Sequence, residues 1–353
     1  MAARPMKLGM LGLWHTHADG MVRQIVTHPD EFQLIGVFDE DDEVMHQRRK
    51  DWDVHQDNLR FCTRTQELLE MPLDGVIVEG RVSDNVRLTE LALHAGFSVM
   101  MEKPAGENLQ AFQNLLAYAH AHSLHVQMTY LFRYMSAVLE MLRMAREGEF
   151  GEIYQVRIRL PKDYALYDEY VRDLGCYSGG IFFEMAGHAV DMMVAMLGAP
   201  TSVHPFMAHH QHLQDSPTFI DNGISVLQFE KAWGIVEVTA LEVAPDSRRI
   251  EVFGTEGACV ITHLGSGHLK NDPVQPIHVY KNCEASWVEI PLPAASLQIS
   301  DLREFFSVLH AEKEPDYSCE HDLIVQETLL LSLIHISEPT RRTPISYAVF
   351  CLK

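Results

Sequence analysis

This chain has few cysteines, a deficit of basic residues and no long apolar run. Its six cysteines include no Cys-x-x-Cys pair, which argues against a disulfide framework or a zinc knuckle and favours a cytoplasmic protein. Lys and Arg number 28 against 49 Asp and Glu, a formal net charge of -21, so we expect no nucleic-acid partner and no anionic membrane surface. No stretch approaches about 18 uninterrupted apolar residues, and no apolar segment of signal-peptide length precedes the first strand, so we predict neither a membrane span nor export.

The end of the chain also lacks any helical or strand period. Residues 331–341 and 345–352 resemble the conceptual translation of sequencing-adapter DNA. We therefore interpret 331–353 as an adapter-derived tail and exclude it from the fold prediction. A divergent natural tail is the alternative.

Residues 6–129 alternate between short apolar runs and helix-length amphipathic segments. The apolar runs are KLGML, FQLIGVFD, DGVIVEG, SVMMEK and HVQMTYL. This alternation is typical of βαβ units and predicts an α/β domain, 1–129, with a doubly wound parallel sheet.

Residues 130–330 show a different pattern, in which strand-like runs follow one another with turn signals between them. One long apolar helix, FFEMAGHAVDMMVAMLG, interrupts the strands. The pattern predicts an α+β domain with an open, mostly antiparallel sheet and helices on one face, and we expect a cleft between the two domains.

The turn after the first apolar run, GMLGLWHTH, retains one glycine of a phosphate-binding G-x-G-x-x-G turn. Gly12 is kept, whereas Trp14 and His17 occupy the positions of the second and third glycines. A helix starting near Ala18 would direct its N–H groups and positive dipole end at an anion on this turn. A purely structural tight turn is the alternative.

Asp39 supports the nucleotide interpretation. It ends the second apolar run, roughly 20 residues beyond the turn, where a carboxylate accepts hydrogen bonds from an adenosine ribose. Glu40 follows it, with no Arg or Lys adjacent, so we expect NAD rather than NADP. Asp39 could instead begin a turn.

His15 and His17 could share a metal ion, but the sequence shows no obvious third ligand nearby. We therefore predict no metal site and expect these histidines to pack near the pyrophosphate or line the cleft. A second histidine run, residues 209–212, is interpreted as a solvated loop.

Two further segments carry candidate chemistry. Lys103, between Glu102 and a proline at the end of a predicted strand, could act as an acid, a base or a hydrogen-bond donor to a substrate oxygen. Glu184 and His188 share one helical face, with Asp191 a turn further on, so a carboxylate could orient the imidazole. A surface turn and a core histidine are the alternatives.

Gly12, Asp39, Glu102-Lys103-Pro104 and the GG-x3-E-x3-H-x2-D segment of residues 179–191 together resemble the glucose–fructose oxidoreductase, inositol dehydrogenase and rhizopine catabolism (Gfo/Idh/MocA) family. The resemblance spans about residues 6–330. It implies a Rossmann domain for NAD(P), a second domain for substrate and subunit contacts, and hydride transfer at a secondary carbinol of a sugar or cyclitol.

The resemblance also implies roles for individual residues. Lys103 would meet the substrate hydroxyl, and His188 would be the general base, with Glu184 replacing the more usual Asp. Arg133 and Asp191 would lie on the substrate side. The expected cofactor-binding residues are Gly12, Trp14, His15, Thr16, His17, Asp39, Glu79 and Glu102.

The expected activity is that of an NAD-dependent dehydrogenase of sugars, cyclitols or related polyols, assembled as a homodimer or homotetramer through the second-domain sheet. A redox-neutral glycosidase that uses NAD transiently, and a sensor without turnover, are the alternatives. One departure from the family pattern is Asn85, where the family usually has His after its fourth strand.

Overall fold

A computed structural model of the chain describes residues 4–52, 59–162, 174–210, 219–242, 248–262, 264, 276–293 and 297–334. Two compact units emerge: Met1–Met135 with Ala295–Leu323, and Ser136–Ala294 with Ile324–Lys353. The predicted boundary between residues 129 and 130 stays a prediction.

The first unit is built on a six-stranded sheet of order β3-β2-β1-β4-β5-β6. Every neighbouring pair is parallel, so all the carboxyl ends meet at one edge, where ligands of doubly wound sheets bind. The strands are β1 (Met6–Leu11), β2 (Phe32–Phe38), β3 (Arg60–Phe61), β4 (Gly75–Val78), β5 (Val99–Met101) and β6 (Val126–Met128).

Helices connect these strands as the βαβ pattern requires. They are α1 (His17–Thr27), α2 (Asp42–Asp51), α3 (Thr65–Leu69), α4 (Val82–His94) and α5 (Leu109–Ala121), and a 3-10 helix (Leu131–Tyr134) follows β6. The apolar sides of β1, β2 and α1 form a common core.

The second unit begins with α6 (Ser136–Arg146) and is built on an eight-stranded mixed sheet of order β14-β13-β12-β11-β7-β10-β9-β8. Only the β7–β10 pair among these described strands is parallel. The strands are β7 (Ile153–Pro161), β8 (Ser202–Ala208), β9 (Asn222–Gln228), β10 (Trp233–Thr239), β11 (Arg249–Gly254), β12 (Gly257–Thr262), β13 (Ile277–Lys281) and β14 (Ser286–Ile290).

One face of this sheet is covered by α7 (Gly180–Leu197). A Cβ added to Gly223 or Gly234 would meet Phe182 or Met193 of this helix within 2.7 Å, which shows how closely sheet and helix pack. Among the described helices, α7 alone is long and apolar enough to cross a membrane, but 83% of it is buried. It is therefore the core helix of this unit.

Two helices follow β14: α8 (Leu297–Leu309) and α9 (Cys319–Ile334). Ile299, Leu302 and Phe305 of α8 complete the apolar core of the first unit. The local sequence pattern does not indicate that the chain returns to the first unit here.

The predicted fold class is confirmed: a doubly wound parallel sheet precedes a mostly antiparallel open sheet. The end of the chain differs from the expectation, because α9 continues through Ile334 with Ser332 and Leu333 buried. Residues 331–334 are therefore helical, while the rest of the proposed adapter-derived tail lies outside the described residues.

Candidate functional site

The turn after β1 depends on Gly12, whose φ of 78° lies in the left-handed region. A Cβ at this position would lie 2.7 Å from Cα of Gly80, the residue that follows Glu79 at the end of β4. The two backbones therefore approach as closely as glycine permits. Thr16 is the N-cap of α1 but its side chain makes no capping hydrogen bond.

Two side chains from the neighbouring strand and helix hold this turn in place. Oδ2 of Asp39 accepts a hydrogen bond from Leu13 N–H at 2.6 Å. The Arg48 guanidinium of α2 donates to the carbonyl oxygens of Leu13, Trp14 and His15 at 2.8, 3.3 and 3.1 Å. The turn is thus fixed by long-range hydrogen bonds.

Arg48 is a residue that the sequence analysis misses. Its own orientation is set by Asp19, which accepts a hydrogen bond from Arg48 at 2.8 Å and another from the Trp52 indole at 2.7 Å. Its position on α2, far from any motif, gives no sequence signal.

A recess of about 210 Å³ opens beside the turn, at the carboxyl ends of β1, β2 and β4. Its lining includes Gly12, Gly80 and Asp39. The two Asp39 oxygens accept hydrogen bonds from backbone N–H groups of Leu13 and Asp41, while burial raises the pKa of this carboxyl. A glycine turn flanked by an oriented carboxylate fits the adenosine end of a dinucleotide.

Two arginines also line this recess, which corrects one premise of the cofactor prediction. Although no basic residue is adjacent to Asp39 in sequence, the fold brings Arg81 and Arg87 to the same recess. Arg87 forms a bidentate pair with Glu40 at 3.0 and 2.6 Å, and Arg81 pairs with Asp41 at 3.1 Å. Both guanidinium groups thus already face carboxylates.

Trp14 takes the place of the second glycine and borders this region. The Arg81 guanidinium carbon lies 5.3 Å from the centre of its indole ring, a cation–π arrangement that fixes both side chains.

Beneath the turn, four predicted cofactor residues meet in what we call the His–Glu cluster: His15, His17, Glu79 and Glu102. His17 Nδ1 lies 3.0 Å from Glu102 Oε2. His15 Nδ1 lies 3.4 Å from Glu79 Oε2 and 3.8 Å from Glu102 Oε2. The expectation that no third ligand lies near the two histidines is therefore wrong, because the ends of β4 and β5 each supply a carboxylate.

Burial governs the electrostatics of this cluster. Both glutamate side chains are 0% exposed. Burial, and then the charge of Glu102, raises the pKa of Glu79 to about 7. Burial also acts to raise the pKa of Glu102, but the adjacent histidines and Lys103 outweigh it and lower that pKa to about 2. Glu102 is therefore the more acidic of the two carboxyl groups. Burial lowers the pKa of His17.

Lys103 extends the cluster at the end of β5. Its side chain is 1% exposed, and its Nζ lies 3.7 Å from Glu102 Oε1. Thr129, which follows β6, donates to Glu102 Oε2 at 2.9 Å, and Asn85 donates to the Glu102 carbonyl at 3.2 Å. The residue that departs from the family pattern, Asn85, thus helps to fix Glu102, as does Thr129, which the sequence analysis overlooks.

Arg133 occupies a different place in the first unit. It is buried, donates to Asp322 Oδ1 at 2.5 Å, and lies over the ring of Tyr317 with its guanidinium carbon 3.8 Å from the ring centre. These contacts give it a structural role within the unit, and its role toward substrate stays a prediction.

The remaining predicted residues lie on α7 in the second unit. Glu184, His188 and Asp191 are all buried in this helix. Its first residue, Gly180, has a φ of 46°, and a Cβ there would lie 2.6 Å from the Ile220 carbonyl oxygen. The double glycine thus lets α7 begin against the segment before β9.

The structure therefore groups the predicted residues into three sets. Gly12 and Asp39 line the recess, and Trp14 stacks with Arg81 of its lining. The His–Glu cluster and Lys103 lie beneath the turn. Glu184, His188 and Asp191 belong to α7 in the second unit. Arg133 stands apart from the first two sets.

A parallel sheet with a glycine turn and an oriented carboxylate, followed by an open mixed sheet, is an arrangement typical of oxidoreductases with an NAD(P)-binding Rossmann domain. Residues 6–130 match the oxidoreductase family with an NAD-binding Rossmann fold. Residues 138–260 match the GFO/IDH/MocA C-terminal domain. The chain belongs to this family.

Individual relatives are distant. The oxidoreductase YdgJ of Escherichia coli (strain K12) is 23% identical over 188 residues, which is 53% of this chain and 53%, or about half, of YdgJ. GenD2 from gentamicin A biosynthesis, solved with NAD, has a TM-score of 0.78 at 18% identity and covers 98% of each chain. UDP-N-acetylglucosamine 3-dehydrogenase GnnA of Acidithiobacillus ferrooxidans has a TM-score of 0.74 at 16% identity, covering 94% of this chain and 98% of that one. These two likenesses show the fold.

The role of Arg48 in holding the turn is testable by replacing it with an apolar side chain of similar length. In Arg48→Met, three turn carbonyls lose a charged donor, so we expect the free energy of unfolding to fall by about 2–4 kcal/mol. Urea denaturation followed by circular dichroism measures the change.

Arg49→Met is the matched control, since Arg49 is exposed on the same helix with its guanidinium over Phe61. We expect it to cost less than about 1 kcal/mol. Equal losses in the two variants would contradict the assignment.

Proposed function

We propose that this protein is an NAD-dependent dehydrogenase that removes hydride from a secondary hydroxyl of a sugar, a cyclitol or a related polyol. The observation that carries the proposal is Lys103, an ammonium group buried at the carboxyl edge of the Rossmann sheet beside Glu102. The names of GenD2 and UDP-N-acetylglucosamine 3-dehydrogenase, both sugar-related, support the substrate class.

Lys103 would donate a hydrogen bond to the substrate oxygen and stabilise the charge that develops as the hydroxyl loses its proton. Glu102, held by Thr129 and Asn85, would fix the lysine and face the nicotinamide ribose. Bound NAD supplies the hydride acceptor.

His188 would take the hydroxyl proton as general base, with Glu184 orienting its imidazole from one helical turn away. Asp191 and Arg133 would contribute to substrate recognition. A buried acid–imidazole pair on one helix face is suited to this role because the carboxylate favours the protonated imidazole.

The nucleotide would bind at the recess and the 12–17 turn. Asp39 would accept hydrogen bonds from the adenosine ribose, and backbone N–H groups of the turn from Gly12 to His17 would face the pyrophosphate, with Trp14 shaping the pocket. We favour NAD over NADP because Glu40 and Asp41 already pair with Arg87 and Arg81, which leaves acidic side chains where a 2′-phosphate would lie. The side chains of His15 and His17, with Glu79, would line the base of this site.

We expect this enzyme to be cytoplasmic. The open face of its second-unit sheet supports assembly as a homodimer or homotetramer. Phe206 and Ile224 lie opposite each other on β8 and β9, and Trp233 shares their face on β10. They are 67%, 38% and 62% exposed, respectively. A contiguous apolar patch of this kind is typical of subunit contacts.

The activity is tested by incubating the protein with NAD and a panel of cyclitols, aldoses and simple glycosides while following the absorbance of reduced nicotinamide. We expect NADH to form with at least one polyol. Lys103→Met should lower kcat/KM by about 100-fold or more, since it removes the proposed hydrogen-bond donor to the substrate oxygen at nearly constant volume. Lys231→Met, at an exposed position between β9 and β10, is the control and should keep wild-type activity.

Failure to form NADH, with NAD binding and fold intact, would contradict the dehydrogenase. Hydrolysis of a glycoside without net NADH would then identify a redox-neutral glycosidase. Binding of NAD without either reaction would identify a sensor.

Assembly is tested by sedimentation velocity. We expect the wild-type protein to sediment as a dimer or tetramer, and the double variant Phe206→Ser with Trp233→Ser to shift toward the monomer because it removes the largest apolar side chains of the face. Leu139→Ser, at an exposed apolar position on α6, should leave assembly unchanged. A monomeric wild-type protein, or unchanged assembly of the double variant, would contradict the proposed contact.

A further inference from the structure

We propose that the His–Glu cluster binds one divalent transition-metal cation of the Zn²⁺ type beneath the 12–17 turn. The ligands would be the two turn histidines and the carboxylates that end β4 and β5. This inference concerns a site additional to the nucleotide site and does not rest on the proposed dehydrogenase activity.

The four cluster residues place their ligand atoms at separations that suit a metal ion. One ligand atom from each of the four residues lies within 4.8 Å of all the others. Three of the separations are 3.0, 3.4 and 3.8 Å. A tetrahedral zinc ion with bonds of about 2.0–2.1 Å holds its ligand atoms about 3.3 Å apart. The cluster therefore needs shifts of only tenths of an ångström at these pairs.

Three oxygens of the two buried carboxylates make no hydrogen bond among the described residues. These are both oxygens of Glu79 and the Oε1 of Glu102, although both side chains are fully buried. Unsatisfied buried carboxylate oxygens are costly and require an explanation. A cation coordinated by Glu79 would supply the partner that its oxygens lack, whereas Glu102 Oε1 already has the Lys103 ammonium 3.7 Å away.

His15 points to the same conclusion. Its Nδ1 accepts a long hydrogen bond from the His17 N–H at 3.3 Å, which requires a lone pair rather than a proton on this nitrogen. The same nitrogen lies 3.4 Å from Glu79 Oε2 and 3.8 Å from Glu102 Oε2. Imidazole nitrogen and carboxylate oxygen at such short separations are the ligand types that a zinc ion takes.

The cluster is also held in place by surrounding groups, as metal ligands usually are. Thr129 donates to Glu102 Oε2 at 2.9 Å, and the backbone N–H of His15 donates to the Glu79 carbonyl at 2.8 Å. Two imidazoles with two carboxylates form a donor set that suits Zn²⁺ better than Mg²⁺ or Ca²⁺, which prefer oxygen ligands.

The cation would lie at the base of the nucleotide site and outside the recess. None of the four cluster residues lines the recess beside Gly12. The backbone of the turn would serve the nucleotide, whereas the side chains of His15 and His17 would hold the cation and brace the turn from below.

The test is calorimetric titration of Zn²⁺ into the full-length protein after exhaustive chelation and dialysis. We expect one Zn²⁺ per chain. Glu79→Gln keeps the side-chain volume and removes a charged ligand, and His17→Gln removes a ligand at the partly exposed edge of the cluster. Each should weaken Zn²⁺ binding at least 10-fold. His28→Gln, at the other end of α1, and His210→Gln, in the 209–212 run, are the controls and should bind as wild type does.

Absence of Zn²⁺ binding to the wild-type protein would overturn the proposal, as would undiminished binding to His17→Gln or a loss confined to His210→Gln. If Glu79→Gln fails to fold by circular dichroism, His17→Gln alone decides, because the His17 side chain is 27% exposed whereas that of Glu79 is fully buried. NAD binding by the same preparations is measured separately, so failure of the cation site and failure of the dehydrogenase proposal are distinguishable.

Discussion

The burial of two carboxylates under the nucleotide turn is the constraint around which the first unit is organised. Glu79 and Glu102 end adjacent parallel strands, so the sheet itself brings them together. Charged groups without water need compensating partners, and His15, His17 and Lys103 lie beside these carboxylates. The turn, the ends of β4 and β5, and the proposed catalytic lysine are thus electrostatically linked.

This constraint also explains how a turn without its usual glycines can be maintained. Trp14 and His17 carry bulky side chains that the glycine version of the turn lacks, and His17 directs its imidazole down to Glu102. The turn is then held by Asp39 from one side and Arg48 from the other. Gly12 is still required, because a Cβ there would lie 2.7 Å from the Gly80 Cα.

Much of this architecture is readable from local sequence. The runs KLGML, FQLIGVFD and DGVIVEG correspond to β1, β2 and β4, and the long apolar segment corresponds to α7, because periodicity reports the buried face of each element. Arg48 and Thr129 escaped notice because their partners are distant in sequence. The carboxylates beside His15 and the arginines near Asp39 could not be predicted either, since only the strand order brings these groups together. The packing of α8 on the first unit could not be predicted for a similar reason, because its apolar face contacts strands some 200 or more residues earlier in the chain.

The central claim is that the altered turn still binds a dinucleotide, and equilibrium titration of NADH into the protein tests it most directly. The account predicts saturable binding of one NADH per chain, weakened about 10-fold or more in Asp39→Ala because the ribose loses its acceptor. Absence of saturable binding of either NADH or NADPH, by correctly folded protein, would contradict it.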